Sequence, residues 1–304
     1  MDGEILVLGG SSYVGKHMLA RPEAGQFTAT YAENPVPGAI QFDCTVMRLA
    51  EALGDLARFD SALLLLGDTQ PDSCVRDPRR SHAVNVEGIE RAIDDLLAAG
   101  VRVIFISSEF VFDGRQGQYS ESDSPNPILL YGEQKLAIER YLESVTDDYA
   151  VLRLAKVYGG AAGDGTLFTN WLQAIERGGR LKCASDQYFS PIHVDDVVQA
   201  MLLAAASRIR GVFHLAGPDG LSRMECLQAL LAEVRKLKMV ELETEPCGIN
   251  DFEFPEKRPL DVSMRIDKLT SATDFSPRRV TDFCRQLVVA EFASAGAWSS
   301  GGAA

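Results

Sequence analysis

An α/β fold built on a doubly wound, mainly parallel sheet is predicted by three observations. Strand-like apolar runs alternate with helix-like stretches through at least residue 160. A Gly-rich turn, Gly9-Gly10-Ser11-Ser12-Tyr13-Val14-Gly15, joins the first such run to the first helix. Residues 104–139 then pass from a buried strand through a polar loop into a helix that carries Tyr131 and Lys135.

The elements follow in order. Ile5 to Leu8 is a short apolar strand, and a helix is expected from Tyr13 to about Ala20. Backbone N–H groups at that helix start can hold a pyrophosphate, which makes Gly9, Ser11, Ser12, Tyr13, Val14 and Gly15 candidate cofactor residues. An ordinary βα turn has the same local pattern. Phe27 to Tyr31 is the second strand, and its end should meet an adenosine ribose. The residues there, Tyr31-Ala32-Glu33-Asn34, include no arginine for a 2′-phosphate, and Glu33 can accept from a 2′-hydroxyl. That leans the cofactor to NAD, while Lys16 beside Gly15 keeps NADP open. Gln41-Phe42-Asp43 forms a third strand, followed by a helix from Arg48 to Leu56. Ser61 to Leu66 is a core strand ending at Gly67-Asp68-Thr69. A long helix is expected from Pro78 to Ala99, with Val84, Ile89, Ile93, Leu96 and Leu97 as its apolar stripe and Gly100 as its stop.

The return strand leads into the central stretch. Ile104, Phe105 and Ile106 suit a strand buried on both faces, and Ser107 and Ser108 stand where it should end. Tyr131 and Lys135, four residues apart, share a helix face with Cβ atoms about 5–6 Å apart. A free tyrosine has a pKa of about 10 and is a poor acid or base at neutral pH. Lowering it by about three units takes roughly 4 kcal/mol, a magnitude that a cation about 4 Å away supplies at an effective dielectric near 20. Serine, tyrosine and lysine at a strand's carboxyl end can therefore form a proton-transfer site. Tyr-x-x-x-Lys alone also decorates many exposed helices.

Further on, Ala150 to Leu154 is a strand, Gly159 to Gly165 a Gly/Ala loop and Leu167 to Arg177 a helix. His193-Val194-Asp195-Asp196 opens a helix through Ala206, with Asp195 or Asp196 as its cap or first-turn acid and His193 structural. Val212 to Leu215 is a last core strand, and helices run from Arg223 to Lys236 and from Val280 to Ala293.

Two runs carry a resemblance. Ser107-Ser108-Glu109-Phe110-Val111-Phe112-Asp113-Gly114, and Pro127 with Tyr131-Gly132-Glu133-Gln134-Lys135, resemble the extended short-chain dehydrogenase/reductase family in its dTDP-4-dehydrorhamnose reductase branch. The resemblance implies a Rossmann dinucleotide-binding domain over 1–157 with a returning segment at about 190–216. It implies a smaller α/β substrate-binding domain from 158–189 and 217–293, with 294–304 a disordered tail. Catalytic roles then fall to Ser108 on the substrate carbonyl, Tyr131 as general acid, and Lys135 tuning Tyr131 and holding the nicotinamide ribose. Cofactor contacts extend by resemblance to Asp43 near the adenine and to Leu66, Gly67 and Thr69. Substrate contacts fall to Glu109, Lys156, Tyr158, Gln187 and Arg258, the last as a diphosphate partner or else a surface arginine. Glu109 replaces an aspartate of the branch, and Lys156 a tryptophan that lies near the sugar. Asn85 matches a family asparagine and is read as a hydrogen-bond donor into the core.

The implied activity is NAD(P)H-dependent reduction of a 4-keto nucleotide sugar. Two alternatives are an epimerase or dehydratase of the same fold, and a non-catalytic NADP-binding regulatory subunit like that of methionine adenosyltransferase. Composition bounds the partners. The chain has 304 residues, 46% hydrophobic, and a net charge of −13, which argues against nucleic acid. Cys44, Cys74, Cys183, Cys226, Cys247 and Cys284 are scattered without a Cys-x-x-Cys pair, so neither a disulfide framework nor a metal site is expected. No apolar run approaches the roughly 18 residues of a membrane span, and the start of the chain has no basic, cleavable segment. A cytoplasmic location is expected, and a homodimer is left open.

Overall fold

Burial alternates along the first strand, β1 (Glu4–Leu8). Ile5 and Val7 enter one apolar cluster, and Leu6 and Leu8 enter another. A strand of that kind must be covered on both faces. The computed structural model describes residues 4–21, 26–161 and 163–296 and provides that cover. After β1 come α1 (Tyr13–Leu19), β2 (Phe27–Tyr31), β3 (Ile40–Gln41), α2 (Leu49–Leu53) and β4 (Phe59–Leu64). Next are α3 (Pro71–Arg76), α4 (Pro78–His82), a π-helical segment (Ala83–Gly88) and α5 (Ile89–Ala98). Then follow β5 (Arg102–Ser108), α6 (Leu130–Val145) and β6 (Tyr149–Leu154).

The seven-stranded sheet has the order β11-β6-β5-β4-β1-β2-β3, where β11 is Gly211–Leu215, and every pairing in it is parallel. The order reverses between β1 and β4, and a ligand crevice is expected outside the carboxyl ends at such a switch point. The same alternation recurs in β5, with Ile104 and Ile106 on one face and Val103 and Phe105 on the other.

The second half adds β7 (Val157–Tyr158), α7 (Leu167–Arg177), β8 (Gly179–Ala184), β9 (Tyr188–Phe189), β10 (Ile192–His193) and α8 (Val194–Ala206). After β11 come β12 (Leu221–Ser222), α9 (Arg223–Val234), β13 (Leu242–Cys247), α10 (Asp267–Ala272) and α11 (Val280–Gly296). A third apolar cluster gathers Phe168 and Leu172 of α7, Leu227 and Leu230 of α9, and Phe283 of α11 around Tyr158.

Several boundaries differ from expectation. The helix expected from Pro78 to Ala99 is interrupted by the π-helical segment, where the buried Asn85 amide bonds outside the helix. Strand β4 ends at Leu64, whereas β5 continues through both serines. Strands β8 and β13 pair in parallel and were not expected. Arg180 and Lys182 of β8 face Glu243 and Glu245 of β13, and these charges hide the strand pattern. His193 is the cap of α8, its ring Nδ1 accepting from the Asp195 N–H at 3.1 Å, with Asp195 and Asp196 in the first turn. Of the tail 294–304, residues 294–296 continue α11 and the rest lie outside the described residues.

Candidate active site

Ser108 closes β5, opposite Leu154 of β6. The backbone then makes a 3₁₀ turn (Glu109–Val111), with the Ser108 hydroxyl accepting from the Phe110 N–H at 3.2 Å. Helix α6 lies tightly on that turn. A Cβ at Gly132 would stand 2.1 Å from the Phe110 carbonyl oxygen, so glycine is required beside Tyr131. This contact brings Tyr131 to Ser108. One helical turn on, the Lys135 ammonium donates to the Ile106 carbonyl at 2.8 Å and lies 5.8 Å from the Tyr131 ring centre. All three side chains are buried, and all three line a cleft of about 620 Å³.

The electrostatics differ from the simple expectation. Burial raises the Tyr131 pKa above its ordinary value, and the approach of the Ser108 hydroxyl offsets this in part. Burial also lowers Lys135 to about 8. Desolvation of the phenol dominates, and Tyr131 keeps its proton at neutral pH. A proton donor requires that state.

The other end of the cleft reaches the first βα turn, where Ser12, Tyr13 and Val14 line it. A Cβ at Gly15 would lie 2.7 Å from the carbonyl oxygens of Gly9 and Gly10, so the turn is folded tightly against α1. Ser12 caps α1 by accepting from the Gly15 N–H at 3.0 Å, which explains a serine inside the Gly-rich run. Thr69 and Leu65 line the cleft. Asn85 accepts from the Asp68 N–H at 2.7 Å and donates to Gln134 of α6 at 2.8 Å, tying the loop after β4 to the helix that carries Tyr131. Gly9, Ser11, Leu66 and Gly67 are half-exposed and do not line this cleft, and Asp43 holds its own turn through the Thr45 N–H and hydroxyl.

Glu109, Lys156, Gln187 and Arg223 also line the cleft. Glu109 is buried, its carboxyl lies against the Lys156 backbone N–H, and its Oε2 has no hydrogen-bond partner among the described residues. Burial pushes its pKa up to about 8, with Lys156 and Arg223 opposing the shift. Arg223 donates from Nε to Gln187 Oε1 at 2.5 Å and lies over the Phe189 ring.

Two expected substrate residues stand elsewhere. Tyr158 is fully buried among Phe168, His193 and Phe283, because β7 turns its ring into the third cluster. Arg258 is neither in the cleft wall nor on the surface. It is largely buried, pairs with Asp72 of α3 and lies over Phe254 at 4.5 Å. Glu33, expected free for a ribose, pairs with Arg80 of α4 at 3.0 Å.

The profile of the RmlD substrate binding domain family matches residues 3–291. The chain belongs to that family. Its resemblance through residues 104–139 is thereby accounted for, and the doubly wound parallel sheet matches solved members. A dTDP-4-dehydrorhamnose reductase of Sinorhizobium fredii is 26% identical over 229 residues, covering 73% of this chain and 76% of that protein. A methionine adenosyltransferase 2 subunit beta of Danio rerio is 26% identical over 220 residues, covering 69% of this chain and 67% of that protein. The crystal structure of the Bacillus anthracis dTDP-4-dehydrorhamnose reductase, in complex with NADP, superposes with a TM-score of 0.78 at 16% identity, covering 95% and 99% of the two chains.

Within this RmlD-family chain, sequence reading missed Arg223 as a cleft residue. A signal was present. Ser222 and Glu225 form a capping box, which places Arg223 in the first turn of α9. A cation there opposes the helix dipole, so its charge must serve something outside the helix.

Proposed function

We propose that the chain is an NAD(P)H-dependent reductase of a 4-keto nucleotide sugar. The observation that carries this reading is the meeting of Ser108, Tyr131 and Lys135 on one cleft that also reaches the first βα turn. Ser12, Tyr13 and Val14 would hold the dinucleotide, and Lys135 its nicotinamide ribose. A bound nicotinamide supplies the hydride. Ser108 orients the carbonyl oxygen, and Tyr131 gives its proton to that oxygen. The ammonium of Lys135, 5.8 Å from the ring centre, then stabilises the phenolate by about 3 kcal/mol at an effective dielectric near 20.

The test is Tyr131→Phe, which removes only a hydroxyl. Fold and cofactor affinity should survive, while turnover of 4-keto nucleotide sugars, followed by NADH or NADPH oxidation, should fall by roughly 10²–10⁴. Equal turnover in both proteins refutes Tyr131 as the acid. The similarity to a methionine adenosyltransferase subunit favours a second reading, a regulatory subunit. Tight cofactor binding without turnover of any sugar, together with a co-purifying enzyme, would select it.

Cofactor preference turns on Glu33. Its carboxylate suits a ribose 2′-hydroxyl and repels a 2′-phosphate, which favours NADH. Arg80 stands beside it, held in an ion pair. While that pair persists the arginine is neutralised, and the reading stays with NAD.

A further inference from the structure

Two cations share the cleft wall next to the catalytic serine. Lys156 follows β6, two residues beyond the partner of Ser108 in the sheet register, and its backbone N–H lies against the Glu109 carboxyl. Its side chain is exposed to solvent in the open cleft, whereas Arg223 is half-buried. Among the described residues, neither Lys156 nor Arg223 has a carboxylate within salt-bridge distance. The other charged groups of the wall are engaged. Lys135 is bonded to Ile106, and Asp164 accepts from Tyr13, Thr166 and Thr169.

Both cations stand without a paired carboxylate although the chain has a net charge of −13. Acidic groups were available to neutralise both cations, yet only Glu109 is near. Desolvation and the proximity of Arg223 lower the Lys156 pKa, and desolvation lowers that of Arg223, with Glu109 opposing both shifts. Two like charges on one cleft wall are relieved by an anion placed between them. Glu109 keeps one buried oxygen without a hydrogen-bond partner.

Resting on the reductase reading, we infer that Lys156 and Arg223 form an anion subsite at the sugar end of the cleft, and that the substrate is an acidic nucleotide sugar. Its carboxylate would lie within one sugar ring of the reacting carbonyl, because Lys156 adjoins Glu109 and Glu109 follows Ser108. A neutral 6-deoxy sugar would leave both cations unpaired.

The experiment measures binding by calorimetry at saturating NADH, with UDP-glucuronate, UDP-glucose and UDP as probes, and with the dTDP-linked sugars in parallel. The wild-type protein should bind the glucuronate at least tenfold more tightly than the glucose compound. In Lys156→Met and Arg223→Gln that ratio should fall toward one, and Lys156→Arg should restore it. Thermal melting checks that each variant is folded. Equal affinity for acidic and neutral sugars in wild type overturns the inference and leaves the reductase reading standing. A parallel loss of UDP affinity, as large as that for the glucuronate, also overturns it, since the cations would then hold the diphosphate. Failure to bind any nucleotide sugar in a protein that binds NADH overturns both.

Discussion

Glu139 and Glu109 are buried to almost the same degree, at 5% and 4% exposure, at the same end of the sheet. Their surroundings have little else in common. Glu139, on α6, receives Arg153 of β6 through three contacts of 2.7–3.2 Å and accepts from the Ser107 hydroxyl. Glu109, one residue beyond β5, keeps an oxygen without a partner and faces two cations that are themselves unpaired. Equal burial thus accompanies opposite degrees of satisfaction. The first carboxylate fastens α6, which carries Tyr131 and Lys135, to β5 and β6. The second stands in the cleft wall with one buried oxygen left unbonded.

The largest expected effect comes from breaking the buried Glu139–Arg153 pair. Arg153→Met leaves Glu139 buried with only the Ser107 hydroxyl as partner, and should destabilise the fold by about 3–5 kcal/mol. Urea denaturation monitored by circular dichroism measures it. A loss under 1 kcal/mol would mean that Glu139 is no more a structural anchor than Glu109, and the contrast would fail.

A smaller effect is expected at Glu109, with pH as the variable. Its folded pKa is about 8, against about 4.3 for an unfolded glutamate. Between these values the folded state binds the extra proton, so this group's contribution to stability declines as pH rises and has levelled off above pH 8. Glu109→Gln cannot ionise. Its stability relative to wild type should rise by about 1.4 kcal/mol between pH 6 and pH 7. His193 and His214, which burial lowers to about 4 and about 3, act the other way at acid pH, but they are common to both proteins and cancel in the difference. A flat difference curve would show that Glu109 is ionised in the fold and bonded as fully as Glu139.

The two carboxylates also mark what the sequence reveals. Strand β5 was legible because Val103 to Ile106 is an unbroken apolar run. The serine, tyrosine and lysine were legible because a glycine beside the tyrosine and a four-residue spacing on one helix are local patterns. The Glu139–Arg153 pair was not, since only the packing of α6 on the sheet brings a helix residue to a strand residue. Arg223 arrives from a helix far along the chain, and its meeting with Lys156 depends on tertiary structure alone. The π-helical segment was hidden because the apolar stripe runs through it from Val84 to Ile89 without a proline or glycine break before Gly88.

The smallest expected effect tests a third carboxylate, Glu33, which lies at the surface. Its ion pair with Arg80 is 3.0 Å long, but both side chains are more than half exposed. Water and salt screen such a pair, so Glu33→Ala should change stability by less than about 1 kcal/mol. Its consequence should lie in recognition instead. Removing the carboxylate takes away the acceptor for a ribose 2′-hydroxyl and leaves the Arg80 guanidinium free for a 2′-phosphate. The ratio of NADPH to NADH dissociation constants should therefore fall by about tenfold, or about 1.4 kcal/mol, in fluorescence titration. The shift should shrink at high salt, because the contact is exposed. An unchanged ratio would place the adenosine ribose away from Glu33. A large loss of stability would instead make Glu33 an anchor of the same kind as Glu139, despite its exposure to water.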